Sequence, residues 1–338
     1  MLRWLGRRLL TSVITLFGVV TVTFVLARVV PSNPAAVYIG PLARPAEVAR
    51  VTKQLGLDRP LPVQYAKYLH DLVRGDWGTS LATKEPVLGG IATRLPATLE
   101  LIGGAMVIAL LLGIPLGVLA ARHAARPPDA LIRIGSVFGI SMPVFWLGLL
   151  LQALFSGELG LLPATSRLSL ETSVLNPIPH LTGFAVFDAL VSGDWAGLGD
   201  AAQHLVLPAL TLAAYPTGLV ARMTRASMLD VLSQDYVRTA RTFGLGERRI
   251  LWQLALRNAF PPTLTVIGLS LAYLLTGTFF VELVFDWPGI GQLATSALLN
   301  LDYPVIMGIT LFGAIGFLSI NLLVDVLQAR LDPRVRFG

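Results

Sequence analysis

Residues 97–121 read ATLELIGGAMVIALLLGIPLGVLAA, with Glu100 as the one charged residue among twenty-five. An α-helix rises 1.5 Å per residue, so about 20 predominantly apolar residues cross the roughly 30 Å hydrocarbon core of a bilayer. This stretch is therefore long enough and apolar enough to span a membrane. With five other runs of the same kind, it gives six predicted spans, at residues 9–30, 97–121, 130–156, 204–221, 260–282 and 305–327.

The composition agrees with a polytopic membrane protein. Hydrophobic residues make up 54% of the 338-residue chain and charged residues 14%, against roughly 25% charged residues in soluble domains. The mean hydropathy is +0.70. These values exclude a soluble globular enzyme and a disordered chain. Because the runs are long and do not alternate, they predict an all-α protein with six transmembrane helices rather than a barrel.

Arginine placement predicts the orientation of the spans. Sixteen of the 26 basic residues, but six of the 20 acidic ones, fall in the N-terminus, the loop after the second span, the 222–257 stretch and the C-terminal tail. Basic residues collect on the cytoplasmic side, so both termini are predicted to face the cytoplasm. A basic excess of this kind is typical of a membrane protein, and nucleic acid is not an expected partner.

Three regions follow from this topology. Residues 1–30 form an N-terminal tail and the first span, residues 31–96 a long extracytoplasmic loop, and residues 97–338 a core with five spans and a cytoplasmic loop at 222–259. The long loop carries eight basic residues, but it exceeds the length over which loop charge controls insertion. Within it, residues 64–73 predict an amphipathic helix, with one face formed by Tyr65, Tyr68, Leu69 and Leu72. Residues 157–203 are predicted to form loops with short helices.

Small residues and prolines mark contacts and bends inside the spans. Glycines four residues apart allow helix backbones to approach closely, and proline removes a backbone donor. The glycine pairs are Gly113 with Gly117 and Gly135 with Gly139, and the prolines expected to bend or loosen helices are Pro115 and Pro143.

Motifs for chemistry are missing from the sequence. No Gly-Lys pair occurs, so there is no P-loop, and residues 289–294, GIGQLA, follow Trp287 and Pro288 rather than a strand. The four histidines form no HExxH, and no serine lies in GxSxG. We therefore predict no catalytic, cofactor-binding or metal-binding residues in this chain. Glu100 and Glu282 lie at the ends of spans, too shallow for a proton relay.

The most informative cytoplasmic segment is residues 233–259. Ser233 is a candidate N-cap, Asp235 lies in the first turn, and Gly244 suits the position just after a helix end. This pattern predicts a helix of about ten residues. A hydrophobic stripe runs along it, at Tyr236, Ala240 and Phe243. On these residues alone, docking to a partner protein and lying on anionic headgroups are equally supported.

Residues 235–245, DYVRTARTFGL, resemble the coupling loop of importer permeases of the ATP-binding-cassette (ABC) class, in the dipeptide, oligopeptide and nickel subfamily. Arg238, Thr239 and Ala240 take the place of that family's Glu-Ala-Ala. The long first loop resembles the B-type permease. Four other stretches carry the resemblance: LGLDRPL at 55–61, RGDWGTS at 74–80, VELVFDWPGIG at 281–291 with DYP at 302–304, and LDPRVR at 331–336.

The resemblance implies a division of labour in a bacterial cytoplasmic (inner) membrane. The chain would pair with a homologous C-type permease and translocate di- or oligopeptides, or alternatively nickel or another small solute of this subfamily. Two ATPase subunits would hold ATP and Mg²⁺ and bind the coupling segment, and an extracytoplasmic solute-binding protein would deliver the substrate. The coupling residues implied are Asp235, Tyr236, Arg238, Thr239, Ala240, Arg241, Phe243 and Gly244; those implied at an outer mouth or binding-protein contact are Trp77, Glu282, Trp287 and Asp302.

A secondary transporter that works alone is the competing hypothesis. It would need a deep charged or broken-helix site and inverted internal repeats, and the sequence shows neither. The remaining expected partner is membrane lipid around the spans.

Overall fold

The computed structural model describes residues 2–29, 44–54 and 58–331. Within these ranges the chain is helical, with one isolated β-bridge between Thr79 and Pro86 and no strand. The α-helices are α1 Leu2–Val29, α2 Pro45–Gln54, α3 Leu61–Val73, α4 Val87–Arg122, α5 Pro127–Ser141, α6 Val144–Leu151, α7 Ala185–Ser192, α8 Trp195–Leu232, α9 Asp235–Thr242, α10 Glu247–Arg249, α11 Leu256–Val284, α12 Ile290–Leu299 and α13 Tyr303–Leu331. Three π-helical segments accompany them, at Gln152–Glu158, Glu171–Leu175 and Ile250–Ala255. The all-α prediction is confirmed for this part of the chain.

Five helical segments are long and apolar enough to cross a bilayer, and a bent helix pair brings the number to six if it forms one span. The five are Gly6–Arg28, Val87–Arg122, Trp195–Leu232, Glu247–Leu275 and Tyr303–Val326.

The third predicted span, at 130–156, is not one straight helix. Helices α5 and α6 meet at 108°. Met142, between them, is extended, with φ −74° and ψ 131°, because the residue before a proline is disfavoured in the helical region. Pro143 therefore breaks the helix, as its position predicted, whereas Pro115 lies within the uninterrupted helix α4.

Two helices are longer than their apolar cores predicted. Helix α4 begins at Val87, ten residues before the predicted start at 97. Helix α8 covers 38 residues, against the 204–221 predicted, and keeps Pro208 and Pro216 inside it. The apolar window of α8 is 56% buried within the protein, more than that of the other four single-helix spans. The helix thus continues on both sides of its apolar run into residues that hydropathy does not mark.

Contacts divide the chain into two compact units, Met1–Thr98 with Pro288–Leu318, and Leu99–Trp287 with Ser319–Gly338. The predicted regions, 1–30, 31–96 and 97–338, follow the sequence order, whereas the first unit combines the N-terminal residues with Pro288–Leu318. Its core contains a buried cluster that joins α4, α12 and α13, formed by Val87, Ile91, Ile290, Ala297 and Val305.

The predicted amphipathic helix belongs to the first unit and is observed as α3. Tyr65 and Tyr68 pack against Phe24 of α1, with ring centroids 5.1 and 5.7 Å away. The Tyr65 hydroxyl lies 2.6 Å from the hydroxyl of Thr21. Burial, together with the neighbouring Tyr65, raises the pKa of Tyr68 to about 12, so its hydroxyl stays protonated at physiological pH. The predicted apolar face is thus the face that holds α3 on α1.

In the second unit, helices α4 and α8 touch at the predicted glycines. A Cβ atom at Gly117 would lie 2.5 Å from Thr224 Cβ and 2.7 Å from the carbonyl oxygen of Ala221. At Gly113 it would lie 2.9 Å from Val220 Cγ1. Any side chain there would force the helices apart, so this pair confirms the predicted close approach.

The second glycine pair behaves differently at its two members. A Cβ atom at Gly139 would lie 3.0 Å from the carbonyl oxygen of Ala214, whereas one at Gly135 would meet nothing within 4 Å. Of this second pair, Gly139 therefore lies at a close helix contact and Gly135 does not.

Within the 157–203 segment, a buried carboxylate holds residues 181–183. Asp188 accepts hydrogen bonds from the backbone amides of Leu181, Thr182 and Gly183 and from the Thr182 hydroxyl, at 2.6 to 3.2 Å. Burial alone would raise the pKa of Asp188, but these hydrogen bonds favour the ionised form and lower the pKa below its usual range. Residues 181–183 are therefore held against the first turn of α7.

Candidate functional site

The segment with the predicted docking residues contains the short helix α9, which follows α8 after only Ser233 and Gln234. Ser233 is not its N-cap, which is a correction. The Ser233 hydroxyl donates to the Asp230 carbonyl at 2.8 Å, and Gln234 occupies the cap position without a side-chain hydrogen bond. Asp235 lies in the first turn, where the partial positive charge of the helix N-terminus favours an anion.

The other end of α9 has the predicted glycine stop. Gly244 has φ +76°, in the left-handed region that favours glycine. The amide of Leu245 donates to the carbonyl of Ala240 at 3.1 Å, and the amide of Gly244 donates to the carbonyl of Arg241 at 2.9 Å. This pair of bonds is a Schellman motif, which satisfies carbonyls at the helix end and reverses the chain. Helix α9 is thus a short helix with a well-defined C-terminal end rather than part of a loop.

Val237 anchors α9 to the rest of the second unit. Its side chain is fully buried, and α9 packs against the π-helical segment Ile250–Ala255, where Ile250 is also fully buried. A second anchor is a hydrogen bond of 2.7 Å from the Asn258 amide to the Tyr236 hydroxyl. Val237 and Asn258 were not among the predicted contact residues, although Val237 is the only aliphatic side chain larger than alanine in α9.

The predicted stripe faces outward. Phe243 is 81% exposed and Tyr236 37% exposed, and Ala240 is half-buried. An apolar ring exposed to this degree costs solvation free energy unless another molecule covers it. The stripe is therefore a surface suited to contact with another molecule.

Polar side chains of α9 stay at its surface. The Thr239 hydroxyl donates to the Asp235 carbonyl at 3.0 Å. Arg238 pairs with Asp235 at 3.5 Å, and Arg241 pairs with Glu247 at 2.8 Å. Exposed pairs of this kind contribute roughly 0 to 1 kcal/mol, so these arginines are available for other partners.

A buried ion pair lies on the helix that leads into α9. The Arg225 guanidinium on α8 donates through Nε and Nη2 to the two carboxylate oxygens of Asp129, at 2.6 and 2.8 Å. Asp129 is 1% exposed and also accepts from the Ala125 amide at 3.0 Å. A two-pronged pair of this geometry fixes orientation as well as distance. It ties the start of α5 to α8 ten residues before α9 begins.

The residues expected at an outer mouth are distributed over both units. In the first unit, Asp302 is 2% exposed and accepts hydrogen bonds from the Ser80 hydroxyl and the amides of Leu81 and Ala82. Lys84 donates to the Leu81 carbonyl at 2.6 Å; burial lowers the pKa of this lysine, and the charge of Asp302 opposes that shift. Asp302 therefore fastens the 80–84 loop and has no free surface for a docked protein.

Trp77 is half-buried and packs against the cluster that contains Val87 and Ile290. Glu282 and Trp287, in the second unit, are buried, with at most 1% of either exposed. Glu282, Trp287 and Asp302 are therefore too deeply buried to contact a docked protein directly in this conformation.

Trp287 instead belongs to a buried network in the second unit. The Arg167 guanidinium lies 5.9 Å from the centre of the Trp287 ring and donates from Nε to Glu100 at 2.9 Å. Glu100 also accepts from the Val186 amide at 2.8 Å. This network connects the 157–203 segment to α4. It was not predictable from the sequence, because Glu100 and Arg167 are 67 positions apart.

Comparisons with known proteins agree along the chain. The model of the binding-protein-dependent transport system inner membrane component matches residues 113–337, and the model of the N-terminal part of such components matches residues 1–102.

Curated relatives match over almost their whole length. A probable D,D-dipeptide transport system permease protein of Escherichia coli strain K12 is 45% identical over 326 residues, 96% of this chain and 95% of the relative. The dipeptide transport system permease protein of Alkalihalophilus pseudofirmus is 41% identical over 337 residues, all of both chains. The glutathione transport system permease protein of Salmonella typhimurium is 39% identical over 337 residues, also all of both chains. This chain therefore belongs to the family of binding-protein-dependent transport system inner membrane components.

Proposed function

We propose that this chain is the B-type permease subunit of an ABC importer that carries di- or oligopeptides across the bacterial inner membrane. The observation that carries the proposal is α9, a short helix with a glycine stop and an exposed aromatic stripe between two membrane-spanning helices. Relatives named for dipeptide transport, 39% to 45% identical over nearly the whole chain, support the substrate class.

In the proposed topology the chain crosses the membrane six times, with α5 and α6 forming one bent span and both termini in the cytoplasm. The arginine distribution supports this orientation. It places the 31–96 and 157–203 segments outside and the 222–259 segment inside. The solute-binding protein docks on the outer side, and a homologous C-type permease completes the pathway.

Each of two ATPase subunits would hold ATP and Mg²⁺, and one of them would receive α9 in a surface groove. Phe243 enters the groove, and Arg238 and Arg241 meet acidic groups at its rim. The other coupling residues position this contact: Asp235 and Gly244 define the helix ends, and Tyr236, Thr239 and Ala240 lie along it. Val237 holds the helix on the permease core, so that a displacement of α9 reaches the spans.

Force would pass from α9 into two spans. The linker to α8 is two residues long, and Arg225 on α8 forms a bidentate ion pair with Asp129 at the start of α5. Because a packed helix moves as a rigid body, closure of the ATPase dimer would rock these helices together and switch the pathway between inward-open and outward-open states.

Replacing the exposed Phe243 ring with a charged side chain tests the coupling contact. Phe243→Asp should leave the fold intact, since the ring is 81% exposed, but should abolish transport and the stimulation of ATPase activity by substrate. The matched control is Leu170→Asp, because Leu170 is 76% exposed and lies in the 157–203 segment. Substrate uptake and ATP hydrolysis are measured in proteoliposomes with the complete transporter. Normal coupled uptake by Phe243→Asp would refute the proposed docking role.

The substrate class needs its own experiment, because the relatives include glutathione as well as dipeptide systems. Binding of labelled dipeptide, glutathione and Ni²⁺ to the cognate solute-binding protein is measured first, and uptake through the complete transporter second. Dipeptide is expected to bind and be taken up. Uptake by the purified chain without its partners would instead favour a secondary transporter.

A further inference from the structure

An open pocket lies at the start of the helical segment that follows α9. It has a volume of about 720 Å³ and is lined by Gly246, Arg248, Arg249, Trp252 and Gln253. We call it the 246–253 pocket. None of these side chains has a role in the α9 contact proposed above.

Two arginines in this pocket lack acidic partners. In the described part of the chain, no carboxylate forms an ion pair with Arg248 or Arg249, and Arg249 donates only to the neutral Gln253 amide oxygen at 3.1 Å. Arg238 and Arg241, by contrast, each pair with a carboxylate. Two exposed and uncompensated guanidinium groups on one face create a local site of positive potential that favours a doubly hydrogen-bonding anion.

The pocket is placed at the edge of a membrane span. The helical segment that leads into the next membrane span begins at Glu247, so residues 246–253 form its first turns, ahead of the apolar stretch. The opposite face of these turns is buried, with Ile250 and Leu251 at most 3% exposed. Trp252, on the pocket face, is 44% exposed, and indoles are enriched where hydrocarbon meets headgroups. The pocket therefore faces away from the protein core, and its exposed indole suits a position at headgroup level.

We propose that the 246–253 pocket binds the phosphate of an anionic phospholipid headgroup in the cytoplasmic leaflet. Arg248 and Arg249 bind the phosphodiester oxygens, and Trp252 packs against the glycerol region at the interface. Gly246 carries no side chain that would obstruct the headgroup. The inference rests on the cytoplasmic placement proposed above, where anionic lipids attract basic segments close to membrane spans.

The experiment measures lipid affinity in the complete transporter purified in detergent, with phosphatidylglycerol as the probe and phosphatidylcholine as the neutral comparison. Native mass spectrometry counts bound lipid as its concentration is raised. Each arginine near an anionic surface contributes about fivefold in affinity, so Arg248→Gln with Arg249→Gln should weaken phosphatidylglycerol binding about thirtyfold. Phosphatidylcholine binding should not change.

Two matched variants control for folding and net charge. Arg122→Gln with Arg126→Gln removes two exposed arginines of the same predicted side and should leave the affinity within twofold. Arg248→Lys with Arg249→Lys keeps both charges and should retain most of the binding. Equal loss in both Gln pairs, or no loss in the 248 and 249 pair, would overturn the proposal. Unchanged lipid affinity with loss of ATPase copurification would assign the pocket to the ATPase instead, and would also overturn it.

A labelling experiment distinguishes an error in the proposed topology from an error in the proposed lipid site. The chain has no cysteine, so Gln253→Cys introduces a single reactive thiol. An impermeant maleimide should label it only from the cytoplasmic side of oriented membranes. Labelling from the outer side contradicts the proposed topology itself, whereas cytoplasmic labelling with unchanged lipid affinity contradicts only the lipid site.

Discussion

Gly117→Ala adds a single methyl group to the contact between α4 and α8. The new Cβ would lie 2.5 Å from Thr224 Cβ and 2.7 Å from the Ala221 carbonyl oxygen. Carbon atoms in favourable contact are about 3.5 to 4.0 Å apart, so the helices would have to separate locally by about 1 Å.

The expected cost follows from what can move. Overpacking a tight contact costs about 1 to 3 kcal/mol. We expect the upper part of this range, about 2 to 3 kcal/mol, because the Ala221 carbonyl oxygen is backbone and cannot rotate away. Thr224→Gly in the Gly117→Ala background should restore only part of the stability, since that carbonyl stays in place.

Gly135→Ala is the matched control. It makes the same change in a helix of the same unit, where a Cβ atom would meet nothing within 4 Å. Only the helix propensity changes there, and alanine is favoured by up to about 1 kcal/mol. The two variants are thus expected to differ in sign as well as in size.

The assay is a reversible titration of the purified chain from mild detergent into dodecyl sulfate, with the free energy of unfolding as the measured quantity. Helical structure persists in the unfolded state in such titrations, so the result reports mainly on helix packing. If Gly117→Ala were as stable as the unmodified chain, or if Gly135→Ala lost equal stability, the close approach of α4 and α8 would be refuted.

Three further changes test buried polar groups. Arg225→Gln leaves the Asp129 carboxylate buried without its main partner and should cost about 3 kcal/mol; adding Asp129→Asn should recover part of this loss in a double-mutant cycle of unfolding free energies. Arg167→Gln removes the ion pair with Glu100, and limited proteolysis should then cut the 157–203 segment faster than in the unmodified chain. Because the folded-state pKa of Asp188 lies below the usual value of about 3.9, its ionised form contributes stability above that value. This contribution is lost as pH falls through the lower folded pKa, and Asp188→Asn should flatten the acid limb of a pH-dependent unfolding series.

The sequence predicted features whose cause is local. The turn at Gly244 follows from a backbone conformation that glycine favours, and the break at Pro143 follows from the restriction that a proline places on the residue before it. The apolar runs and the face of α3 that carries Tyr65 and Tyr68 follow from length and periodicity. Each of these needs only a few neighbouring residues to be specified.

Features that depend on distant residues were not predictable. Asp302 is buried because Ser80, more than two hundred positions away, donates to it. Which face of α9 packs against the protein was ambiguous for a different reason. Phe243 is the C-cap of α9, so the helix ends at one of the three residues that define the predicted stripe. The inward position belongs to Val237, and eight residues are too few for periodicity to identify that face.

The connection between α8 and α9 has no spare length. With only Ser233 and Gln234 between the two helices, and Val237 fixed a few residues later, extra residues cannot be absorbed by a loose loop. An inserted residue would rotate or shift one helix relative to the other. In this family member, the number of residues in that linker is therefore as much a part of the machinery as their identity.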